Sequence, residues 1–209
     1  MKYSIDENLT PLSEEELQKE LQSVSDERKE KILKFRFDSG KMQSLRAYQL
    51  LQKLLLEEYS ISTIPHLKES ENGKPVIEGL EGIHFNLSHC KSGVACVVND
   101  QPIGIDIESI PEKINEDLVR YVFSEREQEM ILEAKGTDKQ GIEQSPQTMF
   151  ATLWTQKEAF VKMTGIGIKG NKQLIPLLED WHNGTSDYDF ITIHSPENKW
   201  ICSICFTQS

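Results

Sequence analysis

The chain has 209 residues, 37% of them hydrophobic, enough for one large domain or two halves of roughly 100 residues each. Lys and Arg number 23 against 34 Asp and Glu, a formal charge of −11, which excludes a sequence-independent grip on nucleic acid through overall positive charge. The first residues lack the apolar run of a signal peptide and no window approaches the roughly 20 apolar residues of a membrane span, so a cytoplasmic protein with no membrane partner is expected.

In chain order, Ser13 with Glu16 three residues on is a capping-box pattern, and Leu17 and Leu21 follow at helical spacing. A second helix is predicted from Asp26 to Phe35. Leu45, Leu50, Leu51, Leu54 and Leu55 then suit a long amphipathic helix over Met42 to Tyr59, which Pro65 cannot let run on. Beyond it Gly73-Lys74-Pro75 punctuates a loop, His84 to Leu87 reads as a short strand, Gly93 to Val98 as a buried strand and Asn99 to Pro102 as a turn. Gly104 to Glu108 alternates strictly, and Ser124 with Glu127 opens another helix. A polar loop from Lys135 to Gln147 leads into a helix over Met149 to Thr164, stopped by Gly165 and Gly167. Tyr188 to His194 and Lys199 to Phe206 make a hairpin around Ser195-Pro196-Glu197-Asn198. Helices and hairpins in this order predict an α+β fold over a doubly wound sheet.

Four cysteines, at 90, 96, 202 and 205, are too few for a disulfide framework, and a reducing compartment follows. Cys202 and Cys205, three apart on a strand, point to opposite faces and are expected in core packing. Three patterns carry chemistry. In Gly104-Ile105-Asp106-Ile107-Glu108 a period of two places Asp106 and Glu108 side by side, a repulsive pair that a hard divalent ion such as Mg²⁺ would relieve. Taken alone the same pattern also fits the solvated face of an edge strand. On the later helix Trp154, Glu158 and Lys162 follow at i, i+4 steps, a carboxylate between an indole and an ammonium, where an ordinary surface ion pair is the alternative. The strand ending in Ser88-His89 can present a hydroxyl, an imidazole and amides to a phosphate, while the absence of a G-x-S-x-G elbow argues against a nucleophilic serine. Arg28, Lys29, Lys31, Lys34 and Arg36 form a local basic cluster, which by spacing alone fits a solvated helix face.

Together, Gly73-Lys74-Pro75, Phe85-Asn86-Leu87-Ser88-His89, Gly104-Ile105-Asp106-Ile107-Glu108 and Trp154-x-x-Lys157-Glu158-Ala159-x-x-x-Lys162 resemble, in order and separation, the signature blocks of the Sfp-type 4′-phosphopantetheinyl transferases. The resemblance implies a pseudo-dimer of two similar α+β halves, 1–102 and 103–209, with coenzyme A in the cleft between them. It implies a Mg²⁺ site of Asp106, Glu108 and Glu158, and coenzyme A contacts from Arg28, Lys31, Ser44, Lys74, Pro75, Ser88, His89 and Lys162. The implied reaction moves 4′-phosphopantetheine to a serine of an apo acyl or peptidyl carrier protein, with Glu158 as base and Lys162 at the pyrophosphate, in a monomer. The carrier is expected to dock on Ile110 to Tyr121 and the helix after Phe123. A coenzyme A binder without transferase activity and a Mg²⁺-dependent nucleotide phosphohydrolase are the rival readings. One departure stands at Gln43, where the family often has Arg, with Arg46 as the nearest cation to replace it.

Overall fold

A computed structural model describes residues 1–70, 73–137, 142, 144–166, 181 and 183–208. Strand β1 (Lys2–Asp6) opens the chain, followed by helices α1 (Glu14–Glu20), α2 (Asp26–Leu33) and α3 (Asp38–Tyr59). Next come strands β2 (Leu67–Glu69), β3 (Pro75–Ile77), β4 (His84–Cys90), β5 (Gly93–Asn99) and β6 (Ile103–Ser109). Helices α4 (Glu116–Val122), α5 (Glu125–Glu133) and α6 (Pro146–Thr164) and strands β7 (Tyr188–His194) and β8 (Trp200–Thr207) complete the order. The fold is α+β, as the sequence pattern predicts.

Local chemistry explains most boundaries. Ser13 and Ser124 each form a full capping box, with Glu16 and Glu127 reaching back to the cap amides. Helix α6 starts at Pro146, three residues earlier than predicted, because Ser145 caps it and proline suits the first turn. It ends on Gly165 in the left-handed conformation at φ 72°; Gly167 and much of the predicted loop (138–141 and 143) lie outside the described residues. Helix α2 stops at Leu33, two residues short of the prediction, and α3 begins at Asp38, four residues earlier. Strand β4 runs on to Cys90, carried past Leu87 by its pairing with β5.

Two antiparallel three-stranded sheets, β1-β5-β4 and β6-β8-β7, organise the described residues, with β2-β3 a small separate ladder. Helix α3 buries Leu51, Leu54 and Leu55 against Phe85, Val94, Cys96 and Val98 of the first sheet. Ala95 and Val97, on its other face, meet Ile103, Ile105, Ile107, Cys202 and Ile204 of the second. Cys202 and Cys205 are unpaired, buried thiols in different clusters, on opposite faces of β8 as the spacing predicts.

The two sheets meet without a backbone ladder. Between β4 and β6 the side chains of alternate β4 residues satisfy the β6 backbone: Ile105 N–H donates to Asn86 Oδ1 at 3.0 Å and Ile107 N–H to Ser88 Oγ at 3.3 Å. On the β6-β8 sheet lies α6, and Gly104 sets the closeness of its approach. A Cβ at Gly104 would stand 2.0 Å from the Ala159 carbonyl oxygen and 2.5 Å from the Met163 nitrogen, so any side chain there would lift α6 off the strand. No helix among the described residues is long and apolar enough to cross a membrane.

Candidate functional site

The seam between β4 and β6, roofed by α6, carries the polar groups that the sequence singles out. Asp106 and Glu108 share one face of β6, and Trp154, Glu158 and Lys162 share the α6 face above them; with Leu87, Ser88 and His89 they line one cavity of about 270 Å³. Lys162 Nζ lies 2.7 Å from Asp106 Oδ1 and donates to Ser88 Oγ at 2.9 Å and to the Ile105 carbonyl at 3.2 Å. Ser88 Oγ in turn donates to Asp106 Oδ1 at 2.8 Å. The other oxygen, Asp106 Oδ2, is buried without a hydrogen-bond partner among the described residues, an arrangement that costs free energy unless something else meets that charge.

Electrostatics sharpen the picture. Burial and the neighbouring Asp106 carboxylate push the Glu108 carboxyl up to about 7, with Glu158 adding to the rise and Lys162 opposing it. Burial and Asp106 likewise raise Glu158 above its ordinary value. Three carboxylates against one ammonium leave a local negative excess inside a cleft, and such clefts attract cations. Among the described residues no three His, Cys, Asp or Glu side chains already form a cage around one point. The unpartnered Asp106 Oδ2 and the two raised carboxyls are nevertheless the features a divalent cation would relieve.

A second cavity, about 390 Å³, adjoins the first and shares Leu87 and His89 with it. Its lining has the opposite character, with Arg28 and Lys31 of α2 and Ser44 of α3 beside Phe35, Ala47, Leu67 and Pro75, although Glu27 and Glu69 also reach it. Arg28 donates through Nη2 to the Ser44 carbonyl at 2.6 Å and lies 5.4 Å from the Tyr48 ring centre. Burial lowers the Arg28 pKa from its usual value. On the shared wall His89 reaches solvent, yet the atoms packed around it, Lys162 and Arg28 hold its imidazole below the ordinary histidine value.

Two residues expected at the ligand sit differently. Lys74 turns away from the larger cavity, and its Nζ donates to the Ile103 and Met163 carbonyls, both at 3.2 Å, tying the β3 approach to β6 and the end of α6. Pro75 does line that cavity. Gln43 donates to the Cys90 carbonyl at 2.8 Å, and Arg46 faces Gln49 Oε1 on its own helix at 3.0 Å. Neither lines the larger cavity, so Arg46 does not replace the missing arginine there.

Sequence reasoning missed a buried ion pair. Lys157 Nζ lies 2.9 Å from Glu127 Oε1, with side-chain exposures of 3% and 1%. Glu127 Oε2 accepts the Ser124 amide at 2.8 Å, and the ammonium lies 5.3 Å from the Phe123 ring centre. The pair locks the α4–α5 corner to α6 beside Glu158. Its only trace in sequence is a single charged residue, a lysine, among the buried positions of α6. Asn86, which clasps β6, was likewise visible only as part of a motif.

This is an α+β protein whose cleft joins an end lined by Arg28 and Lys31 to an acidic one crossed by a single lysine, an arrangement suited to phosphoryl-group chemistry. Residues 102–205 match the sequence profile of the 4′-phosphopantetheinyl transferase superfamily. The 4′-phosphopantetheinyl transferase psf-1 of Bacillus pumilus is 33% identical over 165 residues, 77% of this chain and 67% of its own. The transferase Sfp of Bacillus subtilis strain 168 is 33% identical over 159 residues, 76% and 67% respectively. A further 4′-phosphopantetheinyl transferase of Bacillus subtilis is 31% identical over 196 residues, 93% of this chain and 81% of its own. The chain belongs to the 4′-phosphopantetheinyl transferase superfamily, and within it to the Sfp type.

Proposed function

We propose that this enzyme transfers the 4′-phosphopantetheine moiety of coenzyme A to a serine hydroxyl of an apo acyl or peptidyl carrier protein, releasing adenosine 3′,5′-bisphosphate. The observation that carries the reading is the continuous cleft, which offers Arg28, Lys31 and Ser44 at one end and Asp106, Glu108, Glu158 and Lys162 at the other, with Leu87 and His89 common to both. A phosphorylated nucleoside with a pyrophosphate arm suits that change of lining. Arg28, Lys31, Ser44 and His89 bind the nucleotide phosphate, Pro75 flanks the adenine beside Lys74, and Ser88 and Lys162 meet the pyrophosphate.

Asp106, Glu108 and Glu158 would hold a divalent cation, Mg²⁺ on this reading, and the buried, unpartnered Asp106 Oδ2 supports it. When bound, such an ion supplies positive charge against the phosphoryl oxygens. The chain's own residues do the rest by position and charge. Lys162, anchored on the seam by Ser88 and the Ile105 carbonyl, brings an ammonium to the oxygens that gain charge. Glu158, with its carboxyl raised above the ordinary value, takes the proton of the incoming hydroxyl. The serine Oγ–phosphorus bond forms as the bond from that phosphorus to the adenosine bisphosphate oxygen breaks.

On this reading the two sheets mark two halves, 1–102 and 103–209, of a pseudo-dimer. On the same reading the chain acts as a monomer, and four unpaired cysteines suit a reducing cytoplasm. The test is incubation with coenzyme A, Mg²⁺ and an apo carrier protein, followed by mass spectrometry, with Asp106→Ala as control. The expected result is a carrier heavier by one phosphopantetheine arm. Release of free 4′-phosphopantetheine with an unmodified carrier would instead identify a hydrolase.

A further inference from the structure

Between α2 and α3 the chain exposes Phe35-Arg36-Phe37, and the two aromatic side chains differ in what they face. Phe37 is 68% exposed, packs with the Arg36 guanidinium and lines neither ligand cavity. Phe35 is 37% exposed and forms part of the wall of the larger cavity, beside Arg28, Lys31, Ser44 and Pro75. Its amide donates to the Ile32 carbonyl at 3.2 Å, which carries the turn of α2 one step beyond the helix. Arg28, Lys31 and Phe35, three and four residues apart, therefore present two cations and a ring from one helical face to one cavity.

What seats the ring is Gly40. This residue lies in the first turn of α3 with ordinary helical backbone, where glycine weakens a helix relative to alanine and no left-handed conformation demands it. A Cβ there would stand 2.6 Å from Phe35 Cδ1 and 3.1 Å from Cγ, so the ring comes this close to α3 only because the side chain is missing.

We propose that Phe35 is a ligand-binding residue of this cleft, on which the planar base of a phosphorylated nucleoside stacks, and that Gly40 is the positioning residue that keeps the ring there. The inference rests on the coenzyme A reading above and adds to it the residues that hold the nucleotide base. Aromatic stacking of this kind tolerates different bases, since every base has a π-face, and depends on ring area.

Calorimetric titration of coenzyme A, adenosine 3′,5′-bisphosphate and 4′-phosphopantetheine into the wild type and the variants F35A, F35W, F37A and G40A tests this. F35A is expected to weaken coenzyme A and adenosine 3′,5′-bisphosphate about tenfold, the usual scale for a lost base-stacking ring, with 4′-phosphopantetheine unchanged. F35W retains wild-type affinity and F37A leaves all three ligands unaffected. G40A weakens the two nucleotides severalfold while its melting temperature stays at or above that of the wild type, a separation that a merely structural glycine would not produce. Nucleotide affinities for F35A within twofold of wild type overturn the proposal, as does an equal loss for 4′-phosphopantetheine, which would put the ring against the arm instead. A wild type that binds none of the three overturns the coenzyme A reading, and this inference with it.

Discussion

Replacing Glu108 by glutamine separates what the acidic cavity does for function from what it costs the fold. Burial and the Asp106 carboxylate push the Glu108 carboxyl up to about 7 from an ordinary 4.5, and at roughly 1.4 kcal/mol per unit that is about 3 kcal/mol before screening. The side chain is only half-buried, so about 1–2 kcal/mol is the expected net figure. A raised carboxyl means that the folded state holds the proton more tightly than the unfolded chain does. The relative stability is therefore complete below about pH 4.5 and declines as pH rises through about 7, where the charged form must be carried. His84 and His89, both held below the usual 6.5, act in the opposite sense on the acid side, so the informative quantity is the difference between variant and wild type at each pH. Urea unfolding followed by tryptophan fluorescence in excess EDTA is expected to show Glu108→Gln more stable by about 1–2 kcal/mol near pH 8 and nearly equal to wild type near pH 4.5. On the proposed reading excess Mg²⁺ is expected to reverse the order near pH 8, since binding to the native state alone stabilises it by about 2.7 kcal/mol at a hundred times the dissociation constant, and the variant would lack one of the proposed ligands. A variant less stable than wild type in EDTA near pH 8 would refute the claim that crowded carboxylates strain this cavity.

Gly104→Ala drives a methyl into the Ala159 carbonyl and the Met163 amide and is expected to cost about 3 kcal/mol, with loss of carrier modification, read from a thermal melt and a transfer assay. Lys157→Met strands the buried Glu127 carboxylate and costs about 3–5 kcal/mol, whereas Glu127→Met with Lys157→Met recovers most of it in urea unfolding, as exchanges of a buried pair for apolar groups commonly do. Lys162→Met leaves Asp106 and Ser88 without their ammonium and is expected to lower kcat about a hundredfold or more, measured by carrier mass shift over time. Gln43→Ala removes one hydrogen bond to the Cys90 carbonyl and costs about 1 kcal/mol of stability, while coenzyme A affinity measured by titration stays at the wild-type value.

What could be read from the amino-acid string was whatever acts over a few residues. The capping boxes at Ser13 and Ser124 close within three positions, and the alternation through Asp106 and Glu108 is a property of one strand, so both were legible. Strand β1 was not, because Lys2–Asp6 is held by pairing with Val94 to Val98, some ninety residues away, and carries no turn signal of its own. Helix α4 was missed as a seven-residue segment, too short for an apolar period to show beside its Asn115 cap and end charges. The pairing of Lys157 with Glu127 and the clasp of Asn86 on Ile105 join residues 30 and 19 positions apart. Only tertiary packing brings such groups together, and no periodicity announces them. The turn of Lys74 toward carbonyls of β6 and α6 belongs to the same class.

The site exists because the sheet is left incomplete. Had β4 and β6 joined by a backbone ladder, their facing edges would be closed by main-chain bonds at the ordinary spacing of about 4.8 Å, with no cavity between them. Instead Asn86 and Ser88, two residues apart and so on one side of β4, use their side chains to satisfy the Ile105 and Ile107 amides. That side-chain seam meets the hydrogen-bonding demand of buried backbone without a main-chain ladder. The same period of two then brings Asp106 and Glu108 to the opening from β6, and Gly104, two residues before Asp106, lets α6 settle low enough for Lys162 to reach Ser88 and Asp106. Strand periodicity, a missing Cβ and a side-chain seam thus converge on one point, and a change to any of the three moves the charged groups relative to one another before it touches them chemically.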